Sequence, residues 1–160
     1  MLKAITLYEP WASLMAIGAK RNETRGCRTT HRGDIAIHAA KARINVSDAV
    51  ADATIRAFTT RGGVNMSFGH IVAVVDLWDV QPAEKFGTIK TSDREFIQLS
   101  EEEFMFGNYN GGCGRWIYRT RTLRRLTHPI PTRGYQSIGW TVPPDVEAQV
   151  REQLRTITPI

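Results

Sequence analysis

Cysteine is scarce in this 160-residue chain: Cys27 and Cys113 are too few for a disulfide framework, and neither has a second Cys or a His at zinc-ligand spacing. Both read as buried or idle thiols. The four histidines, His31, His38, His70 and His128, are scattered, and nothing resembles His-Glu-x-x-His, so no metal and no cofactor is expected. Also missing is any run of about 18 or more apolar residues, and the stretch from Met1 to Thr6 lacks the apolar segment of a signal peptide. The expectation is a soluble, cytoplasmic protein without membrane contact. Internal repeats, low-complexity tracts and a clear linker are absent too, so residues 1–160 read as a single domain.

What is present is an ordinary globular balance, 42% hydrophobic and 23% charged, with a net charge of +5. The charge is unevenly placed. Residues 1–70 carry ten Lys/Arg against five Asp/Glu, residues 71–110 three against eight, and residues 111–160 eight against three. Segregation of this kind suits a surface that meets phosphates, because phosphate neutralisation dominates nucleic-acid affinity; it is equally compatible with a solvated surface.

Hydrophobic spacing outlines the elements. Leu2 to Leu7 alternates as a short strand, and Pro10 is placed to open a helix through Trp11, Leu14, Met15 and Ile17 that Gly18 stops. Lys20 to Arg25 reads as an exposed strand and Ile35 to His38 as a more apolar one. Ser47 and Asp48 cap a helix whose Val50, Ala51, Ile55 and Phe58 recur near helical spacing, ending before Gly62. His70 to Trp78 is nearly continuous in apolarity and predicts a central strand buried on both faces. Two capping boxes, Ser92-x-x-Glu95 and Ser100-x-x-Glu103, place short helices in the acidic region. After the turn-rich 108–112, Arg115 to Thr122 alternates as a strand with Arg115, Ile117, Arg119 and Arg121 on one face and Trp116, Tyr118, Thr120 and Thr122 on the other. Pro129 and Pro131 suit a sheet edge, and Val146, Val150 and Leu154 mark one face of a C-terminal helix.

The block Leu7-Tyr8-Glu9-Pro10-Trp11-Ala12 through Gly18-Ala19-Lys20-Arg21-Asn22-Glu23-Thr24-Arg25 resembles the signature of ASCH-family proteins, a Pro-Trp-Ala helix followed by Gly-x-Lys-x-x-Glu-x-Arg. Arg32-Gly33, Ile37-His38-Ala39-Ala40-Lys41, Phe106-Gly107-Asn108-Tyr109, Gly114-Arg115-Trp116 and Pro129-Ile130-Pro131 extend the resemblance over most of the chain. It implies an α+β fold, a small PUA-like twisted β-barrel flanked by short helices, with a cleft beside the Gly-x-Lys segment. Members of the family include RNA- or DNA-binding modules, ribonuclease-like proteins and an amidohydrolase that deacylates acetylcytidine. Fold alone does not choose among them.

The candidate site follows from those residues. Lys20, directly after the helix stop, serves as a phosphate contact if solvated and as a base or nucleophile activator if desolvated. Glu23 can accept hydrogen bonds from a base amino group or pair with Arg25. Strand alternation puts Lys20, Asn22 and Thr24 on one face and Arg21, Glu23 and Arg25 on the other. In the deacylating relative the lysine works with a threonine three positions later, where this chain has Glu23, and Thr24 is offset by one residue. The relative's third catalytic group corresponds in position to Glu103. Trp11 offers either a core anchor or a stacking face for a base, His38 and Lys41 are placed for phosphate contact, and Arg115 heads the densest basic stretch. The leading expectation is an RNA, single-stranded nucleic acid or nucleoside binder using Trp11, Lys20, Arg25, His38, Lys41 and Arg115. The alternative is a hydrolase using Lys20, Glu23 and Glu103.

Overall fold

The computed structural model describes residues 1–63, 65–83, 88–90, 96–109 and 114–160. In chain order its elements are β1 (Lys3–Leu7), α1 (Trp11–Ala16), β2 (Asn22–Arg25), β3 (Gly33–Ala39), α2 (Asp48–Thr60), β4 (His70–Pro82), β5 (Thr88–Lys90), β6 (Phe96–Gln98), α3 (Glu101–Met105), β7 (Trp116–Pro131), β8 (Trp140–Thr141) and α4 (Pro144–Leu154). Six strands form a mixed sheet in the order β2-β7-β4-β3-β1-β8, curled into a half-barrel, while β5 and β6 pair separately. Only β1 and β3 run parallel among these pairs, from Lys3 opposite Ile35 to Leu7 opposite Ala39. Among the described residues no helix is long and apolar enough to cross a membrane.

The sheet is buried on both sides because two helices cover opposite faces. On one, Ile5, Leu7, Ile35, Ile37, Ala73, Val75, Leu77 and Tyr118 pack on Ala12, Met15 and Ala16 of α1. On the other, Ala4, Ala36, Ile71, Val74, Leu126 and Ile130 pack on Val146 and Val150 of α4. This is why β4 carries a continuous apolar run: residues 71–75 are all buried, as the sequence predicts. At roughly 1.5–3 kcal/mol for each fully buried aliphatic side chain, this two-sided packing is the main stabilising term of the fold.

The strand and helix expectations hold with local changes. β4 runs on to Pro82, and Trp78 emerges 38% exposed because arginines rather than a helix cover it. Pro10 occupies the N-cap position, one residue before α1. Ser47 does cap α2, its Oγ accepting from the Val50 N–H. The core face of α2 is Ala53, Thr54 and Ala57 instead of the predicted stripe, and Ile55 faces solvent. Small residues there let α2 approach Leu14, Ala19 and Phe106. The Ser92-x-x-Glu95 box lies outside the described residues.

The largest departure is β7, one 16-residue strand where the sequence predicts a shorter strand and a separate proline element. Its prolines are tolerated because β2 reaches only residues 116–119, leaving β4 as the partner at the Pro131 end. Three register shifts against β4, with Thr122 at φ +53°, interrupt the alternation. Ile117 and Tyr118, in regular register with Gln81 and Val80, point to opposite faces and are both fully buried because both faces are covered there, Tyr118 in the α1 core and Ile117 against Ala83 and Tyr109; Arg115 precedes the strand rather than sharing its face.

Candidate functional site

The site is built from the turn between α1 and β2. Gly18 adopts φ +73°, a left-handed conformation that glycine enters without steric cost. Its N–H bonds the Met15 carbonyl at 3.1 Å, and the N–H groups of Ala19 and Lys20 both reach the Leu14 carbonyl, at 3.0 and 3.1 Å. The helix is closed off and Lys20 is turned inward. Because β2 begins only at Asn22, strand alternation does not extend back to Lys20. Its side chain is 1% exposed, and Nζ donates to the carbonyls of Asn22 and Phe106, the latter at 2.8 Å, while facing Glu23 Oε2 at 3.3 Å. The predicted separation of Lys20 and Glu23 onto opposite faces is thus replaced by an ion pair between them.

Glu103 ties the same turn from the other side. Its carboxylate accepts from the backbone N–H of Arg21 at 2.7 Å and of Asn22 at 3.1 Å, and from the Tyr109 hydroxyl at 2.5 Å. Burial and the adjacent carboxylate push the Tyr109 hydroxyl far above its ordinary range, so it remains a donor. Only half of the predicted capping box forms: Ser100 Oγ accepts from the Glu103 N–H, but the Glu103 side chain is used by residues 21 and 22.

In front of this braced turn lies a cleft of about 420 Å3, within the roughly 300–1,000 Å3 of small-molecule sites. Tyr8 and Trp11 contribute aromatic wall, and Glu23, Thr24, Arg25 and Arg115 contribute polar groups. Three consecutive β2 residues line it because β2 is an edge strand whose open side meets the cleft. Glu23 presents its two oxygens between cations, with Arg25 Nε 3.2 Å from Oε1. Arg25 Nη2 also donates to the Thr6 carbonyl at 2.6 Å, and Arg115 Nη2 to the Thr24 carbonyl at 2.6 Å. Both guanidinium groups are held by backbone rather than left loose.

A second cleft, about 680 Å3, adjoins the first and shares Thr6 and Gln136 with it. His38, Lys41, Phe68, His70, Thr132 and Arg133 line it. Burial holds the His38 imidazole below its usual pKa, so the ring is neutral. Nε2 then donates to the Thr132 carbonyl at 3.2 Å and Nδ1 accepts from the Thr6 hydroxyl at 3.2 Å, while Thr6 Oγ1 accepts from Trp140 Nε1 at 3.1 Å. Gly134 closes over the ring, where a Cβ would come within 2.2 Å of it.

The predicted residues therefore fall into three groups. Trp11, Glu23, Arg25 and Arg115 meet in the first cleft, and His38 and Lys41 line the second. Lys20 and Glu103 lie behind the first cleft as braces and line neither. Sequence reasoning missed Thr6, Tyr8, His70 and Arg133. Tyr8 stands beside the Pro-Trp-Ala motif and Arg133 beside Gly134, but neither has a spacing that marks it.

Over residues 5–118 the sequence matches the family model of the ASCH domain. The chain belongs to the ASCH family. Two crystal structures of ASCH from Zymomonas mobilis, one of them a point mutant, align with TM-scores of 0.53 and 14% identity. The mutant alignment covers 98% of this chain and 99% of that one, and the other covers 98% and 96%. At this identity the likeness is one of fold, and it agrees with the PUA-like curled sheet of this ASCH domain. No curated protein matches the sequence.

Proposed function

We propose that this ASCH domain binds RNA or a modified nucleoside, placing a base in the first cleft. The observation that carries the reading is the meeting, in one nucleoside-sized space, of Trp11 and Tyr8 as stacking surfaces with Glu23 and Arg115 as hydrogen-bonding groups. Glu23 can accept from a base amino or ring N–H, and the neighbouring guanidinium groups donate to carbonyl oxygens. Fluorescence anisotropy with a labelled, mixed-sequence single-stranded 12-mer RNA tests it. Trp11→Ala is expected to weaken binding about tenfold, in keeping with stacking energies of roughly 1–3 kcal/mol per base. Glu23→Gln is expected to weaken it while changing base preference. Affinity untouched by both substitutions refutes base recognition in this cleft.

The 3.3 Å contact between a buried ammonium and a cleft carboxylate favours a second reading, a hydrolase in which the Lys20 and Glu23 pair moves a proton during attack on an acylated cytidine or an RNA phosphodiester. Incubation with acetylcytidine and with labelled RNA separates the readings: product formed by the wild type and lost in Glu23→Gln supports hydrolysis by the pair, equal turnover removes Glu23 from the mechanism, and no product from the wild type discards hydrolysis.

A further inference from the structure

Most of the arginines of β7 are neutralised by the chain itself. Arg119 faces Asp79, Arg121 faces Asp76 and Arg124 faces Asp34, although these belong to the densest basic stretch of the sequence. The second cleft is different. No Asp or Glu lines it, and neither Lys41 nor Arg133 makes an ion pair or side-chain hydrogen bond with a described residue; Arg133 lies only against the Tyr135 ring, 5.4 Å from its centroid. Both side chains are exposed at its rim. The Lys41 stem is seated on Gly69, where an added Cβ would approach its Cγ to 3.1 Å, so its ammonium is carried to the cleft by packing. His70, also in the lining, is tied to the cleft wall by its Nδ1, which donates to the Phe68 carbonyl at 2.8 Å.

We infer that the second cleft is a phosphate subsite, in which Lys41 and Arg133 hold a phosphate of the same ligand whose base enters the first cleft. This rests on the base-binding reading above and narrows it: the ligand is a phosphorylated nucleotide or strand rather than a free nucleoside. Unpaired cations in a concave wall without carboxylates attract phosphate most strongly, Lys41 as a point charge and Arg133 through its planar fork. The shared Thr6 and Gln136 make the two clefts one continuous path, so base and phosphate need not belong to separate molecules.

The test compares wild type, Glu23→Gln and the double variant Lys41→Gln/Arg133→Gln against one 12-mer prepared as single-stranded RNA and as DNA, over a salt series. Loss of two phosphate contacts is expected to flatten the slope of log affinity against log salt by about 1.4 in the double variant, about 0.7 per contact. Glu23→Gln should weaken binding with its slope kept. Equal flattening for RNA and DNA identifies the shared phosphate as the ligand chemistry; flattening for RNA alone assigns the subsite to an RNA strand. A strand bound with undiminished slope by the double variant overturns the subsite while leaving base recognition standing. Failure of the wild type to bind either strand at low salt overturns the RNA reading and the subsite together. An unchanged melting temperature confirms that the double variant retains its fold.

Discussion

Lys20 shows how much one side chain's surroundings decide. The sequence leaves a lysine after a helix stop open between a solvated and a desolvated cation, and here its ammonium is enclosed by two carbonyls and a carboxylate. A buried cation of this kind resists removal, because its partners are left without a donor. Lys20→Met is therefore expected to destabilise the fold by about 3–5 kcal/mol in urea unfolding, whereas the same change at a solvated lysine costs almost nothing. A loss below about 0.5 kcal/mol contradicts the bracing role, since surface substitutions stay within that range. For any assay of hydrolysis, this makes Glu23, which lines the cleft, the more discriminating position.

At the scale of elements, the α1 to β2 turn couples fold and site. Gly18→Ala places a Cβ at φ +73°, at a cost of about 1–2 kcal/mol. The expected result is that loss in thermal or urea unfolding together with weaker RNA binding, because the turn aims Lys20 at Glu23. Unchanged stability would mean that the turn accepts a right-handed alternative. This element was largely legible beforehand: the Gly18 stop, the Ser47 cap and the apolar β4 all follow from local chemistry. Glu103 was not, because a carboxylate spaced for its own helix cap is used by backbone N–H groups some eighty residues earlier in the chain. Nor was β7, where both faces are covered at Ile117 and Tyr118, so that burial there has no period of two, and where register shifts further along break the alternation.

Over the whole molecule, charge segregated along the chain is not charge segregated on the surface. The acidic middle of the sequence supplies Asp76 and Asp79, and the antiparallel pairing of β4 with β7 sets them against Arg121 and Arg119. Arg121, with its side chain 62% exposed, makes a surface pair worth roughly 0–1 kcal/mol, and Arg119 is partly buried; the main consequence of both pairs is to remove arginines from the pool available to a ligand. Trp78, stacked under Arg119 at 4.2 Å, belongs to that neutralised face. The unpaired cations of the second cleft lie instead beside the aromatic and acidic groups of the first. Titration of isotopically labelled protein with the single-stranded 12-mer RNA, followed by amide and indole NMR shifts, tests this placement most directly. The account predicts shifts at the Trp11 indole and at Thr24, Arg25, Gly69 and His70; shifts confined to Trp78, Arg119 and Arg121, or none at all, would contradict it.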